Sequence, residues 1–230
     1  IHHYDASTRM TALNLLYDVG SKDESPSRTG FAHLFEHLMF GGSVHIPDFD
    51  TPLQKAGGEN NAWTSNDVTN YYTVAPTHNI ETAFWLESDR MLGLDFSERS
   101  LEVQRGVVME EFKQRCLNQP YGDVGHLLRP LAYRLHPYQW PTIGKELSHI
   151  EQATLDEVRE FFYRHYAPNN AVLAVAGNIT WEETVRLTQK WFGPIPRREV
   201  PVRRLPQEPR QTEERRLTVE RPVPLDALFM

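Results

Sequence analysis

The chain has 230 residues, of which 40% are hydrophobic and 11% aromatic, enough apolar side chain for one large core or two small ones. Its net charge of -7, with Lys and Arg scattered among acids, offers no basic stripe for a polyanion and argues against nucleic acid as a partner. No apolar run approaches the roughly 20 residues a helical membrane crossing needs. The lone Cys116 excludes an internal disulfide and a cysteine-based zinc cluster.

The chain opens on Ile1 rather than Met, with no charged and then apolar leader, so any targeting peptide is expected to be already missing. Localisation is therefore unreadable, bacterial periplasm and cytoplasm both being open. Thr11 to Asp18 reads as a short strand, followed by a polar loop around Pro26. A helix is expected from near Thr29, with Phe31, Leu34, Phe35, Leu38 and Met39 at helical spacing until Gly41 and Gly42 stop it. Asn60 to Ala75 reads as a hairpin or one long strand closed by Pro76. Two helical patterns follow, Asn79 to Leu92 and Ser97 to about Cys116, and Asp123 to Arg134 is a third. Thr154 with Glu157, and Thr180 with Glu183, form capping-box signatures, and between those two helices Ala171 to Ala176 reads as a buried strand. Helices and strands are mixed, which predicts a layered α+β domain. Pro196 to Pro224 is dense in Pro, Arg and Glu and turns apolar from Leu225 to Met230. The expected division is a domain over 1–195, a linker over 196–224 and the cut-short start of a second domain over 225–230.

The decisive stretch is His33-Leu34-Phe35-Glu36-His37. Histidines four positions apart on a helix present both rings on one face. A catalytic zinc site takes three protein ligands and leaves one position for water, so a third ligand is required from elsewhere. Glu36 can reach such a water without being a ligand, which suits a general base. One such pentapeptide arises by chance in roughly a few per cent of comparable chains, so an independent feature is needed. Leu101, Val103, Val107, Val108 and Phe112 define an apolar arc with Glu111 in its middle and Glu110 at its edge, which makes Glu111 the inward carboxylate. A buried carboxylate needs a cation beside it.

These residues resemble the pitrilysin and mitochondrial-processing-peptidase family, the inverzincins, in which His-x-x-Glu-His inverts the thermolysin order. The resemblance covers nearly the whole chain. It implies a mixed, mostly antiparallel sheet with helices packed on one side, the LuxS/MPP-like metallohydrolase fold. It also implies one Zn2+ per chain held by His33, His37 and Glu111, the last standing 74 positions beyond His37. Gly57-Gly58-Glu59-Asn60-Asn61-Ala62-Trp63-Thr64 resembles the family's substrate-binding edge strand, so Asn61, Ala62, Trp63 and Thr64 are expected to meet an extended peptide that adds as a further strand. One heptad before the third ligand the family often has a glutamate; here Gln104 stands, able to hydrogen-bond the site from outside the ligand set but not to supply charge.

The expected function is a zinc-dependent endopeptidase acting on peptides or unfolded polypeptide. The resemblance implies a second homologous half, fused or separate, that completes the chamber and helps bind substrate. The alternative is a non-catalytic substrate-binding or scaffold subunit of such a pair. His2, His3, His45, His78, His126, His136, His149 and His165 lack partners at ligand spacing and read as surface or capping residues. Cys116 reads as packing only, and Trp63, Tyr71, Tyr72 and Phe84 as core rather than a binding platform.

Overall fold

The computed structural model describes residues 1–230. Its strands are β1 (His2–Tyr4), β2 (Met10–Tyr17), β3 (Glu59–Thr64), β4 (Thr69–Pro76) and β5 (Ala171–Gly177). Its helices are α1 (Phe31–Leu38), α2 (Asp50–Lys55), α3 (Glu81–Leu92), α4 (Glu98–Phe112), α5 (Val124–Ala132), α6 (Leu147–Glu151), α7 (Leu155–His165) and α8 (Trp181–Trp191). The five strands form one sheet in the order β1-β5-β2-β4-β3, antiparallel throughout except for the β1–β5 pair. The extended run at 60–75 is thus a hairpin, and β3 is an edge strand.

In β2, Leu13, Leu15 and Tyr17 are buried, while Ala12, Asn14 and Leu16 between them are only half-buried. Tyr71 and Ala75 of β4 and Val175 of β5 share the buried face and pack on the helices. Each such large side chain contributes about 1.5–3 kcal/mol by leaving water, so a one-residue slip that turned the set outward would be costly. The other face carries no helix. Consequently β5 is not the fully buried strand its composition suggests: Val175 is buried, but Val172 and Ala176 are exposed.

Helix α1 is the most deeply packed of the helical layer. Leu34, Phe35 and Leu38 join the largest core cluster, and the Phe35 ring stacks on Phe161 and Tyr166 at 5.1 and 5.3 Å. Eight residues are too few to be helical alone in water, so this packing supplies the order. The N-terminus has no side-chain cap of its own, because Gly30 occupies the cap position with φ of 87°. A Cβ there would lie 2.7 Å from Ile150 Cδ1 and in a strained backbone, so glycine meets both demands. The orphan N–H groups are met from outside the helix: Glu24 accepts from Gly30 N at 3.0 Å, Ala32 N at 2.9 Å and Trp140 Nε1 at 3.1 Å. Burial pushes the Glu24 carboxyl up towards its neutral form. Every partner is nevertheless an N–H donor with no acceptor for a carboxylic proton, and the geometry is that of a carboxylate.

Both capping residues expected downstream start helices, but only Thr154 forms the full reciprocal box. Thr180 accepts from Glu183 N, while the Glu183 carboxylate turns to Arg186 instead. His165 is buried rather than at the surface, with burial drawing its pKa down to about 4. After α8 the chain has no further helix or strand, yet it stays against the body. Arg198 donates to the carbonyls of Tyr166, Met91 and Leu92, and Glu208 accepts from the backbone N–H groups of Arg134, Leu135 and His136. No helix is long and apolar enough to cross a membrane.

Glu24→Gln replaces one acceptor oxygen with an NH2 that faces N–H donors. It is expected to lower stability by about 1–3 kcal/mol, read from the urea midpoint; an unchanged midpoint would show that α1 does not depend on this external cap.

Candidate metal centre

His33 and His37 lie one helical turn apart on α1, on the side that turns away from the Phe35 stack and towards α4. Their Nε2 atoms are 3.3 Å apart. Glu111, near the end of α4, brings Oε2 to 3.5 Å from His33 Nε2 and 3.3 Å from His37 Nε2. In a tetrahedral zinc site with bonds of about 2.0–2.1 Å, neighbouring donor atoms stand about 3.3 Å apart. The three side chains therefore already form one face of such a tetrahedron, and they are the only His, Cys, Asp or Glu group in the chain disposed to hold a metal ion.

The electrostatics suit a cation. Burial draws the His33 pKa down to about 4, so its ring is neutral near pH 7 and keeps a lone pair for a metal. Hydrogen bonding from His37 holds Glu111 below the usual carboxylate range, against a desolvation that would raise it. Two imidazoles and one carboxylate, nitrogen and oxygen donors with no thiolate, match the donor set of a catalytic zinc site. The fit is good, although His33 Nδ1 is buried without a protein partner, so nothing from the chain fixes that ring's tautomer.

Glu36 stands beside the donors without joining them. Burial raises its pKa, and a hydrogen bond from Thr64 Oγ1 to Oε2 at 2.5 Å partly offsets that rise. Thr64 stands on the edge strand expected to meet peptide, and its side chain contacts the carboxylate. Strand alternation explains how. Alternate residues of β3 face opposite ways, so Ala62 and Thr64 look towards α1, whereas Asn61 and Trp63 project to the uncovered face of the sheet. Trp63 is 47% exposed and does not pack in the core. Asn61 Oδ1 accepts from Ala62 N at 2.8 Å, which covers an edge donor in the absence of a neighbouring strand.

The arc on α4 is narrower than its composition suggests. Leu101, Val108 and Phe112 are buried, but Val103 and Val107 are 53% and 47% exposed, because nothing packs on that flank. Glu111 lies at the boundary between the two sets, not in the middle of an apolar face. Glu110 is exposed and pairs with Lys113 at 2.6 Å. Gln104 is half-buried and turned towards the end of α1, its Nε2 being 3.6 Å from where a Cβ on Gly41 would sit. Two contacts escaped the sequence reading. Thr64 was legible from strand parity, and Arg115, whose Nη1 lies 2.8 Å from Glu111 Oε1, stands four residues on, the spacing at which helical side chains meet.

A helix-borne histidine pair, an adjacent carboxylate outside it and a distant glutamate on a second helix have the form of a metallopeptidase centre on an α+β scaffold. Comparison with known proteins gives the same class. The sequence model described as insulinase (peptidase family M16) matches residues 1–146, and that of the peptidase M16 inactive domain matches residues 152–228. The chain belongs to the insulinase family of peptidases. It is 32% identical over 187 residues to the zinc protease PqqE of Helicobacter pylori, a match covering 80% of this chain and 42% of that protein. It is 27% identical over 203 residues to the mitochondrial-processing peptidase subunit beta of Saccharomyces cerevisiae, covering 86% of this chain and 43% of that one. The crystal structure of a protease from Helicobacter pylori superposes with a TM-score of 0.85 at 30% identity over 90% of this chain and 51% of that chain. The first half of the periplasmic protease PqqL from Escherichia coli shares the fold, with a TM-score of 0.77 at 24% identity over 88% of this chain and 45% of that chain. The chain thus spans less than half the length of these two sequence relatives.

Thr64→Val removes the one protein donor to Glu36 at little change in volume. In an assembly that turns over peptide, it is expected to lower kcat by roughly 10-fold or more while zinc content stays at the wild-type level; an unchanged kcat would release Thr64 from this role.

Proposed function

We propose that this chain is the metal-bearing half of a zinc-dependent endopeptidase, holding one Zn2+ through His33, His37 and Glu111 and using Glu36 as general base. The observation that carries the reading is the triangle of donor atoms with edges of 3.3, 3.3 and 3.5 Å beside a carboxylate outside it. Zinc bound there supplies Lewis-acid polarisation of the scissile carbonyl and makes water more acidic. Glu36 takes a proton from the attacking water and returns it to the leaving amine, a task its burial-raised pKa favours. Thr64 holds Glu36 in place for both transfers.

Substrate enters as an extended backbone on the free edge of β3, with Asn61, Ala62, Trp63 and Thr64 as the strand it meets. Only an extended chain fits a sheet edge, which selects peptides and unfolded segments. Side chains of the substrate that face α1 pass Ala62 and Thr64, and those on the other side pass Asn61 and Trp63. Gln104 adds polarity near the end of α1 without charge.

Residues 1–195 act as one peptidase half, 196–224 as a linker and 225–230 as the approach to a second half that closes the chamber. The single continuous sheet supports the first boundary, since β5 is inserted between β1 and β2 and cannot be separated from them. The length of the relatives, and the name of one of them as the beta subunit of a mitochondrial-processing peptidase, support the second half. Exposed Val103 and Val107 beside Glu111 are consistent with a chamber wall that this chain leaves open.

Metal analysis of purified protein is expected to give about one zinc per chain, lost in Glu111→Gln. Glu36→Gln is expected to keep zinc and to lose at least about 100-fold in peptide hydrolysis when joined to the second half. A wild-type chain that takes up no zinc would favour a substrate-binding or scaffold subunit instead, and normal turnover by Glu36→Gln would remove the base.

A further inference from the structure

The carboxylate of Glu111 has two oxygens with different partners. Oε2 faces the two imidazoles, whereas Oε1 is held by the Arg115 guanidinium at 2.8 Å. The terminal torsion of a glutamate is broad, so without a second partner the carboxylate would sample orientations that turn either oxygen, or both, towards the imidazoles. The Arg115 ion pair selects one.

Exposed ion pairs usually contribute little, because two long side chains must be ordered to make them. This one differs in how its backbone is held. After Phe112 the helix widens into five residues of π-type turns, Lys113–Leu117, a form found in short pieces and often beside functional sites. Cys116 in that turn is buried against Phe112 and Ile143, which fixes the segment to the core. Gly122 closes over it so tightly that a Cβ there would lie 2.5 Å from the Arg115 carbonyl oxygen. The Arg115 side chain is 67% exposed, but the main chain from which it reaches back to Glu111 is anchored on both sides.

Two effects of Arg115 on a bound cation oppose each other. Its positive charge repels a divalent ion, and its close pairing with Oε1 orders the ligand carboxylate. Exposure of the guanidinium lets solvent screen the repulsion, while the 2.8 Å contact acts directly on the ligand atom's partner oxygen. Ordering groups around metal ligands are worth about 10–100-fold in affinity. Arg115 is also better suited than lysine to the task, since its planar fork loses less freedom for each bond it forms.

We propose that Arg115 is a positioning residue: by engaging Oε1 it presents Glu111 to a divalent metal through Oε2 alone, and so strengthens metal binding at the His33–His37–Glu111 centre. The inference rests on the metal-site reading above. The test is the zinc dissociation constant of the 230-residue chain, measured by competition with a chromophoric chelator, for wild type, Arg115→Gln and Arg115→Lys. Arg115→Gln is expected to bind zinc about 10–100-fold more weakly, Arg115→Lys to recover part of that loss, and the stability of the metal-free chain to change little. With cobalt in place of zinc, the visible absorption of Arg115→Gln is expected to shift, because ligand geometry sets those bands. Zinc affinity in Arg115→Gln equal to or tighter than wild type, with an unshifted cobalt spectrum, would overturn the proposal while leaving the metal site intact. Failure of the wild-type chain itself to bind zinc would overturn both.

Discussion

Helix α1 can be buried in only one rotation, and the metal centre depends on that constraint. Leu34, Phe35 and Leu38 commit one side of a two-turn helix to the aromatic core built by Phe161, Phe162 and Tyr166. Once that side is set, His33 and His37 have no freedom to face anywhere but α4, and Glu36 is aimed at the edge strand. The placement of the three donor atoms is thereby a by-product of hydrophobic packing, with Glu24 and Gly30 fixing where the helix begins.

The second requirement is electrostatic. A partly buried carboxylate must find positive charge or hydrogen-bond donors, and Glu111 has both on its two oxygens. His33 resists protonation because it is buried, so the site does not neutralise itself by becoming an imidazolium–carboxylate pair at that ring. The remaining negative potential is what a divalent cation would compensate. On the far side of the sheet and along Val103 and Val107, apolar surface stays open.

The pattern His33-x-x-Glu36-His37 was fully legible because helical spacing alone brings the rings together, and Glu111 followed from the phase of α4 even though the arc around it was drawn too wide. Periodicity identifies a face but not whether a neighbour covers it. Val103, Val107 and Val172 carry apolar side chains on flanks that this chain leaves bare, and their sequence context does not differ from that of buried valines. The edge strand was legible as a block but was not resolved into its two faces. Alternation sends Thr64 to Glu36 and Trp63 to the opposite side. Glu24 was beyond reach for another reason: its partners depend on a loop folding back over a helix end, and no local signal encodes that.

The proposed activity requires one ion shared by three side chains. The most direct measurement is a crystal of the zinc-loaded chain with diffraction data on both sides of the zinc absorption edge. The expected result is one anomalous peak about 2.0–2.2 Å from His33 Nε2, His37 Nε2 and Glu111 Oε2, with Glu36 outside bonding distance. A peak bound elsewhere, or density in which those three side chains point apart, would contradict it.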